Sequence, residues 1–176
     1  MGYTHYFNRT VSLSEEQAAQ LCEDAAKIVT YWFDHTTNSA EIFAKKEEHS
    51  GRWDEWLEDS QNQLKILESA DNREEKLVAL WKNSNAIFIH PDDETVPSEG
   101  FYFPFDGDSF SFCKTNHAEG FGPLVYGLFY FLKLSGVGRV SSDYQSAETG
   151  AGRRLVKAVF PELITVLGSR KRETLV

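Results

Sequence analysis

Residues 121–134 read F-G-P-L-V-Y-G-L-F-Y-F-L-K-L, and from Leu124 to Leu134 apolar side chains point in nearly every direction around a helix. Such a helix is stable in water only when it is buried on several sides. The rest of the chain must therefore provide its cover. Pro123 suits the first helical turn, where a missing N–H costs nothing. The apolar run is too short to span a bilayer, so no membrane insertion is expected.

The cover can be read segment by segment. Tyr3 to Phe7 is aromatic and β-branched, with Tyr3, His5 and Phe7 on one side and Thr4 and Tyr6 on the other, the pattern of an opening strand. Ser12 and Glu15 have capping-box spacing. After them Ala18, Leu21, Cys22, Ala25, Ile28, Val29 and Trp32 hold the i, i+3, i+4 spacing of one buried helical face. Trp53, Trp56, Leu57, Leu64 and Leu67, followed by Leu77, Leu80 and Trp81, predict one or two helices interrupted near Asp71 and Asn72. Ala86 to His90 predicts a strand closed by Pro91, and the acidic Asp92, Asp93 and Glu94 a solvated loop. Phe101, Phe103 and Phe105, matched by Phe110 and Phe112 across Asp106-Gly107-Asp108, predict an aromatic hairpin. Val137 to Ser141 supplies a further strand, and a last helix from about Ala147 is broken or kinked at Pro161.

Residues 1–176 thus read as a single α+β domain, a mainly antiparallel sheet of four to five strands covered by helices. The size is sufficient for a core without metal or disulfide staples. The 41% hydrophobic content and 13 phenylalanines exclude disorder and point to a core rich in rings. Cys22 and Cys113 form no disulfide framework and no metal-ligand spacing. Together with an N-terminus lacking a signal-peptide pattern, they predict a cytoplasmic protein with no bound metal and no cofactor.

The net charge is −9, and only residues 151–176 are basic. That distribution argues against DNA duplex binding, which needs a broad basic face.

The opening G-Y-T-H-Y-F, S-E-G-F-Y-F-P at Ser98 to Pro104, F-C-K-T at Phe112 to Thr115 and V-S-S-D at Val140 to Asp143 occur in an order that resembles an uncharacterised family of tailed-phage and prophage proteins. The chain departs from that pattern at Gly100, Asn116 and Tyr144. The resemblance implies a viral setting in the cytoplasm of a bacterial host and no particular chemistry. Small accessory proteins of phages often counter host defence, some by holding nucleotide-derived immune signals.

The candidate site gathers around these motifs. Lys114, with Arg153 and Arg154, is suited to an anion, the arginine fork matching phosphate geometry. Thr115, Ser141, Ser142 and Asp143 lie at strand ends where backbone donors and polar side chains collect. Tyr3, His5, Tyr102 and His117 supply rings for stacking on a base. Glu99 stands beside them as an acid. No catalytic signature stands out: Cys113 with His117 or His5 as base follows nucleophile logic, but a cysteine on an alternating aromatic strand is more often packing.

The sequence therefore predicts a small anionic, nucleotide-related ligand held without turnover, in the manner of sequestering a host immune signal. A small hydrolase or transferase using Cys113 or His117 on a similar ligand is one alternative. An acidic inhibitor docking Trp53 to Glu75 on a host protein is the other. A homo-oligomer sharing a pocket between protomers is compatible with each.

Overall fold

The computed structural model describes residues 3–37, 62–69, 71–91, 99–115, 121–143 and 147–163. In chain order the elements are β1 (Tyr3–Arg9), α1 (Glu15–His35), α2 (Arg73–Asn83), β2 (Ala86–Ile89), β3 (Phe101–Pro104), β4 (Phe110–Thr115), α3 (Phe121–Leu134), β5 (Gly138–Ser142) and α4 (Ala147–Val159), with residues 62–68 also helical. The strands form two antiparallel sheets, one ordered β4-β1-β5 and the other β2-β3. The fold is the α+β architecture that the alternation and helical periodicity predict. Among the described residues no helix is long and apolar enough to cross a membrane.

α3 lies at the centre. Ten of its residues, from Phe121 to Leu132, are buried, and it packs against α1, α4, β1, β4 and β5. The ring-rich core forms around it: Phe129 stacks on Phe7 at 5.7 Å and meets Phe101 at 4.8 Å, while Phe103 meets Phe7 edge-on at 5.6 Å. α1 contributes Leu21, Cys22, Ala25, Ile28, Val29 and Trp32, the face expected from spacing.

Three local expectations change. α1 is capped by Ser14 and Gln17, which exchange bonds of 3.2 and 2.9 Å, and not by Ser12 and Glu15. The later start places Leu13 just before the cap and Ala18 one turn in, both packed on the core, where a hydrophobic staple would put them. β5 runs Gly138–Ser142, one residue later than expected.

The third change is the aromatic hairpin. β3 pairs with β2, setting Phe101 and Phe103 opposite Ile89 and Ile87, whereas β4 pairs with β1. Phe101, Phe103 and Phe105 are buried, but β4 turns Ser111, Cys113 and Thr115 inward and leaves Phe110 and Phe112 about half exposed. Strand side chains alternate, so the parity of the connection decides which set is buried. That connection is held by Arg9, whose guanidinium donates to the carbonyls of Pro104, Phe105 and Gly107 while its backbone N–H donates to Ser109.

α4 ends at Val159, just ahead of Pro161, as the proline requires. It approaches α3 very closely: a Cβ on Gly152 would lie 2.7 Å from the Pro123 carbonyl oxygen and 2.8 Å from the Gly127 nitrogen. Both obstacles are backbone, so they cannot rotate away. Gly152→Ala is expected to lower stability by about 1–3 kcal/mol through overpacking, measured as a lower urea midpoint with unchanged slope; a wild-type midpoint would refute the tight contact.

His90, just past β2, gives a pH signature. Burial holds its imidazole down to about 4, from an ordinary 6.5. Between those values the unfolded chain binds a proton that the folded chain refuses. Stability is therefore complete above about pH 6.5 and falls as the pH drops toward 4, by up to about 3 kcal/mol. His90→Gln should flatten that part of the pH–stability curve, and parallel curves for the two proteins would exclude His90 as its source.

Candidate functional site

β1 presents His5 toward the helices because it shares the inward phase of Phe7, and the side chain is fully buried. A buried imidazole needs partners for both nitrogens. Ser142 on β5, directly opposite in register, supplies one, its Oγ lying 2.8 Å from His5 Nδ1. Glu148 in the first turn of α4 supplies the other, its Oε2 lying 3.2 Å from Nε2. Thr115, at the inward end of β4 and also fully buried, donates to the same Oε2 at 2.9 Å. One polar chain therefore runs Ser142, His5, Glu148, Thr115 across all three strands and into a helix.

The carboxylate of Glu148 lies against α3. A Cβ on Gly122 would come within 2.3 Å of its carboxyl carbon and 2.5 Å of Oε2, so the seat exists only because residue 122 is glycine. That seat is beside the N-terminal turn of α3, where the helix dipole favours negative charge. Oε1 is buried and has no hydrogen-bond partner among the described residues. A carboxylate oxygen in that state is costly, of order 1–3 kcal/mol or more.

Tyr126 carries the network outward. Its ring meets His5 edge-on at 5.4 Å, and its hydroxyl accepts from Arg153 Nη2 at 3.2 Å. The Arg153 guanidinium lies 5.8 Å from the centre of the Tyr126 ring and 5.7 Å from that of Tyr130. Its bond to Tyr126 favours the charged form further. Arg153 is exposed, so an oriented cation sits at the surface, in contact with a ring that touches the buried histidine.

Of the residues expected at the site, His5, Thr115, Ser142 and Arg153 meet there, and the backbone carbonyl oxygen of Tyr3 lies 3.4 Å from Thr115 Oγ1. Others do not. Lys114 and Ser141 occupy outward positions of β4 and β5, on the opposite face of the sheet from His5, and both are exposed. Glu99 is exposed and its carboxylate accepts the Lys114 backbone N–H at 3.1 Å. Tyr102 is 53% exposed on β3. Asp143 is exposed past the end of β5, where its backbone N–H donates to Thr4. Arg154 is exposed on α4. His117 and the acidic loop Asp92 to Glu94 lie outside the described residues, as do residues 53–61 and 70 of the Trp53 to Glu75 segment.

Cys113 is fully buried, its Sγ lies 2.9 Å from the Glu99 carbonyl oxygen, and burial pushes its thiol well above the ordinary range. A thiol kept protonated and enclosed is a poor nucleophile, which removes Cys113 from the enzyme reading. Cys22, likewise buried, is pushed up to about 11.

Glu148 is the residue that sequence reading missed, and a signal for it existed. Gly152, Leu155 and Val156 define the buried face of α4, and Glu148 is in phase with them at i−4, i−7 and i−8. A carboxylate on an apolar face needs a partner. Among the described residues no group of three or more His, Cys, Asp or Glu is arranged to hold a metal ion. A separate cleft of about 580 Å³ is lined by Thr30, Asp34, Asn72, Arg73, Glu74 and Glu75. It is acidic, and Arg73 there is paired with Asp34, so it has the wrong sign for an anion.

Thr115→Val keeps the shape and removes the donor to Glu148. It is expected to cost about 1–3 kcal/mol in thermal or urea unfolding, because both groups are buried. Ser142→Ala, at a half-buried position that water can reach, is expected to cost less, and the reverse order would contradict the network as described. Comparison of the chain with protein-family models, curated proteins and solved structures returns no match.

Proposed function

We propose that this chain binds a small anionic, nucleotide-related ligand at the Arg153 end of the network and holds it without turnover, in a phage setting as a sink for a host immune signal. The observation that carries this reading is the unbroken line of contacts from exposed Arg153 through Tyr126 to His5, and from His5 to Ser142, Glu148 and Thr115. Its parts match the parts of a nucleotide. A guanidinium fork suits a phosphate, and tyrosine rings suit a base. The viral setting rests on the motif resemblance alone.

A second reading, a small hydrolase, is favoured by one specific feature. Ser142, His5 and Glu148 are connected as nucleophile, base and acid, with Ser142 the half-buried member. In this reading Ser142 replaces Cys113 or His117 as the reactive group.

The deciding experiment incubates the purified protein with a panel of cyclic nucleotides and ADP-ribose derivatives, removes free ligand, denatures the protein by heat and analyses the release by mass spectrometry. Intact ligand in stoichiometric amount is expected. A chemically altered ligand that Ser142→Ala restores to the intact form would establish the hydrolase instead. Arg153→Ala should weaken retention about tenfold or more, since it removes a charge-assisted contact, while Lys114→Ala on the opposite face should leave it unchanged. Equal losses in the two variants, or no ligand from the whole panel, would refute the site.

A further inference from the structure

The face of the β4-β1-β5 sheet turned away from the helices has a composition unlike the rest of the chain. Its central row is Phe112, Tyr6 and Ser141, and the next row is Phe110, Asn8 and Arg139. Lys114 and Thr4 form the third. Tyr6 and Phe110 are stacked with ring centres 6.1 Å apart and planes inclined by 28°, and Phe110 and Phe112 are also 6.1 Å apart. Phe110 is 53% and Phe112 52% exposed, so neither ring is held by the core. Of the eight paired outward positions three are aromatic, two are cationic and none is acidic, in a chain with 27 acidic residues against 18 basic ones. The nearby carboxylates lie beyond the paired positions, Glu99 and Asp143 at the Lys114 end and Asp106 and Asp108 in the turn before Phe110.

From this face we infer a binding platform for single-stranded nucleic acid, two or three bases lying over Tyr6, Phe110 and Phe112 with the backbone phosphates reaching Lys114 and Arg139 at opposite corners. Adjacent strands and two-residue steps space these side chains about 5–7 Å apart, close enough for successive unstacked bases to rest on successive rings. Open antiparallel sheets with outward aromatics recognise single strands in this way, because every base has a π-face. The charge pattern selects this occupant over a second copy of the chain. Pairing the face with itself would bring four cations together with no carboxylate among the paired positions. A single strand brings apolar faces and regularly spaced negative charge at once. The acidic remainder of the surface is screened beyond about 8–10 Å at physiological salt, so the local cations decide. A duplex, whose bases are stacked inside, cannot use the rings, and the absence of a broad basic face agrees with that.

The test is fluorescence anisotropy of labelled oligouridylate and oligothymidylate of about eight nucleotides, with a duplex of equal length beside them. Binding of the single strands is expected at about 0.1 M salt with a shallow dependence on salt: a logarithmic slope of about −1.4 for two phosphate contacts, falling by about 0.7 in Lys114→Gln. Phe110→Ala and Phe112→Ala should each weaken binding about tenfold, and circular dichroism should show both folded, since their rings are half exposed. Arg153→Ala, on the other side of the sheet, should bind like wild type, so failure of this platform and failure of the ligand site are separable. No anisotropy change with wild type, equal binding by the ring variants, or equal binding of the duplex would each overturn the inference. A dimer in sedimentation that Phe112→Ala dissolves, without oligonucleotide binding, would overturn it and assign the face to a second copy.

Discussion

The close contact between α3 and α4 governs both the core and the site. Gly152 lets α4 approach to where an added Cβ would touch α3 backbone at Pro123 and Gly127, and Gly122 leaves a seat for the Glu148 carboxylate at the start of α3. A helix that is apolar on most sides needs dense cover, and dense cover needs small residues where backbones meet. Because the two helices are locked at that distance, the first turn of α4 lies over the end of β1. The position of Glu148 relative to His5 is therefore a consequence of packing, and the polar network follows from the same contact that encloses the core.

One sheet then serves two chemistries. Its inner side is a core face interrupted at one end by His5, Thr115 and Ser142, each on a different strand and each satisfied by the others or by Glu148. Its outer side is open and carries half-exposed rings between cations. Alternation along each strand separates the two sets, so Lys114 and Thr115, neighbours in sequence, belong to opposite surfaces. Cys113 illustrates the same rule: inward and fully buried, it is a packing group whose thiol burial keeps protonated.

Much of the fold is legible in the residues. The unbroken spacing from Ala18 to Trp32, the all-round apolarity of Leu124 to Leu134 and the alternation of Tyr3 to Phe7 each dictate a local structure that packing reinforces. The candidate site is legible in part. His5, Thr115, Ser142 and Arg153 stand out by type and location, but Lys114 and Ser141 stand out equally and point the other way. Glu148 could be found only by following the apolar phase of α4 backward and asking why a carboxylate falls on it. The aromatic hairpin misled for a related reason: the rings of β3 and β4 look alike in sequence, and only strand pairing assigns one set to the core.

What the sequence determined by itself is local: which segments are helices and strands, which faces are apolar, and that no long membrane-crossing run or metal-ligand spacing is present in it. These follow from periodicity and residue chemistry, which act over a few neighbouring residues. Only the tertiary structure decided that β1 lies between β4 and β5, that β3 joins β2, and that residues 5, 115, 142 and 148 share one hydrogen-bonded chain. Those outcomes depend on contacts between residues distant in the chain, more than a hundred positions apart for β1 with β4 and β5 and for His5 with Glu148, where strand partner and helix spacing are set by the shape of the whole core and by no local signal.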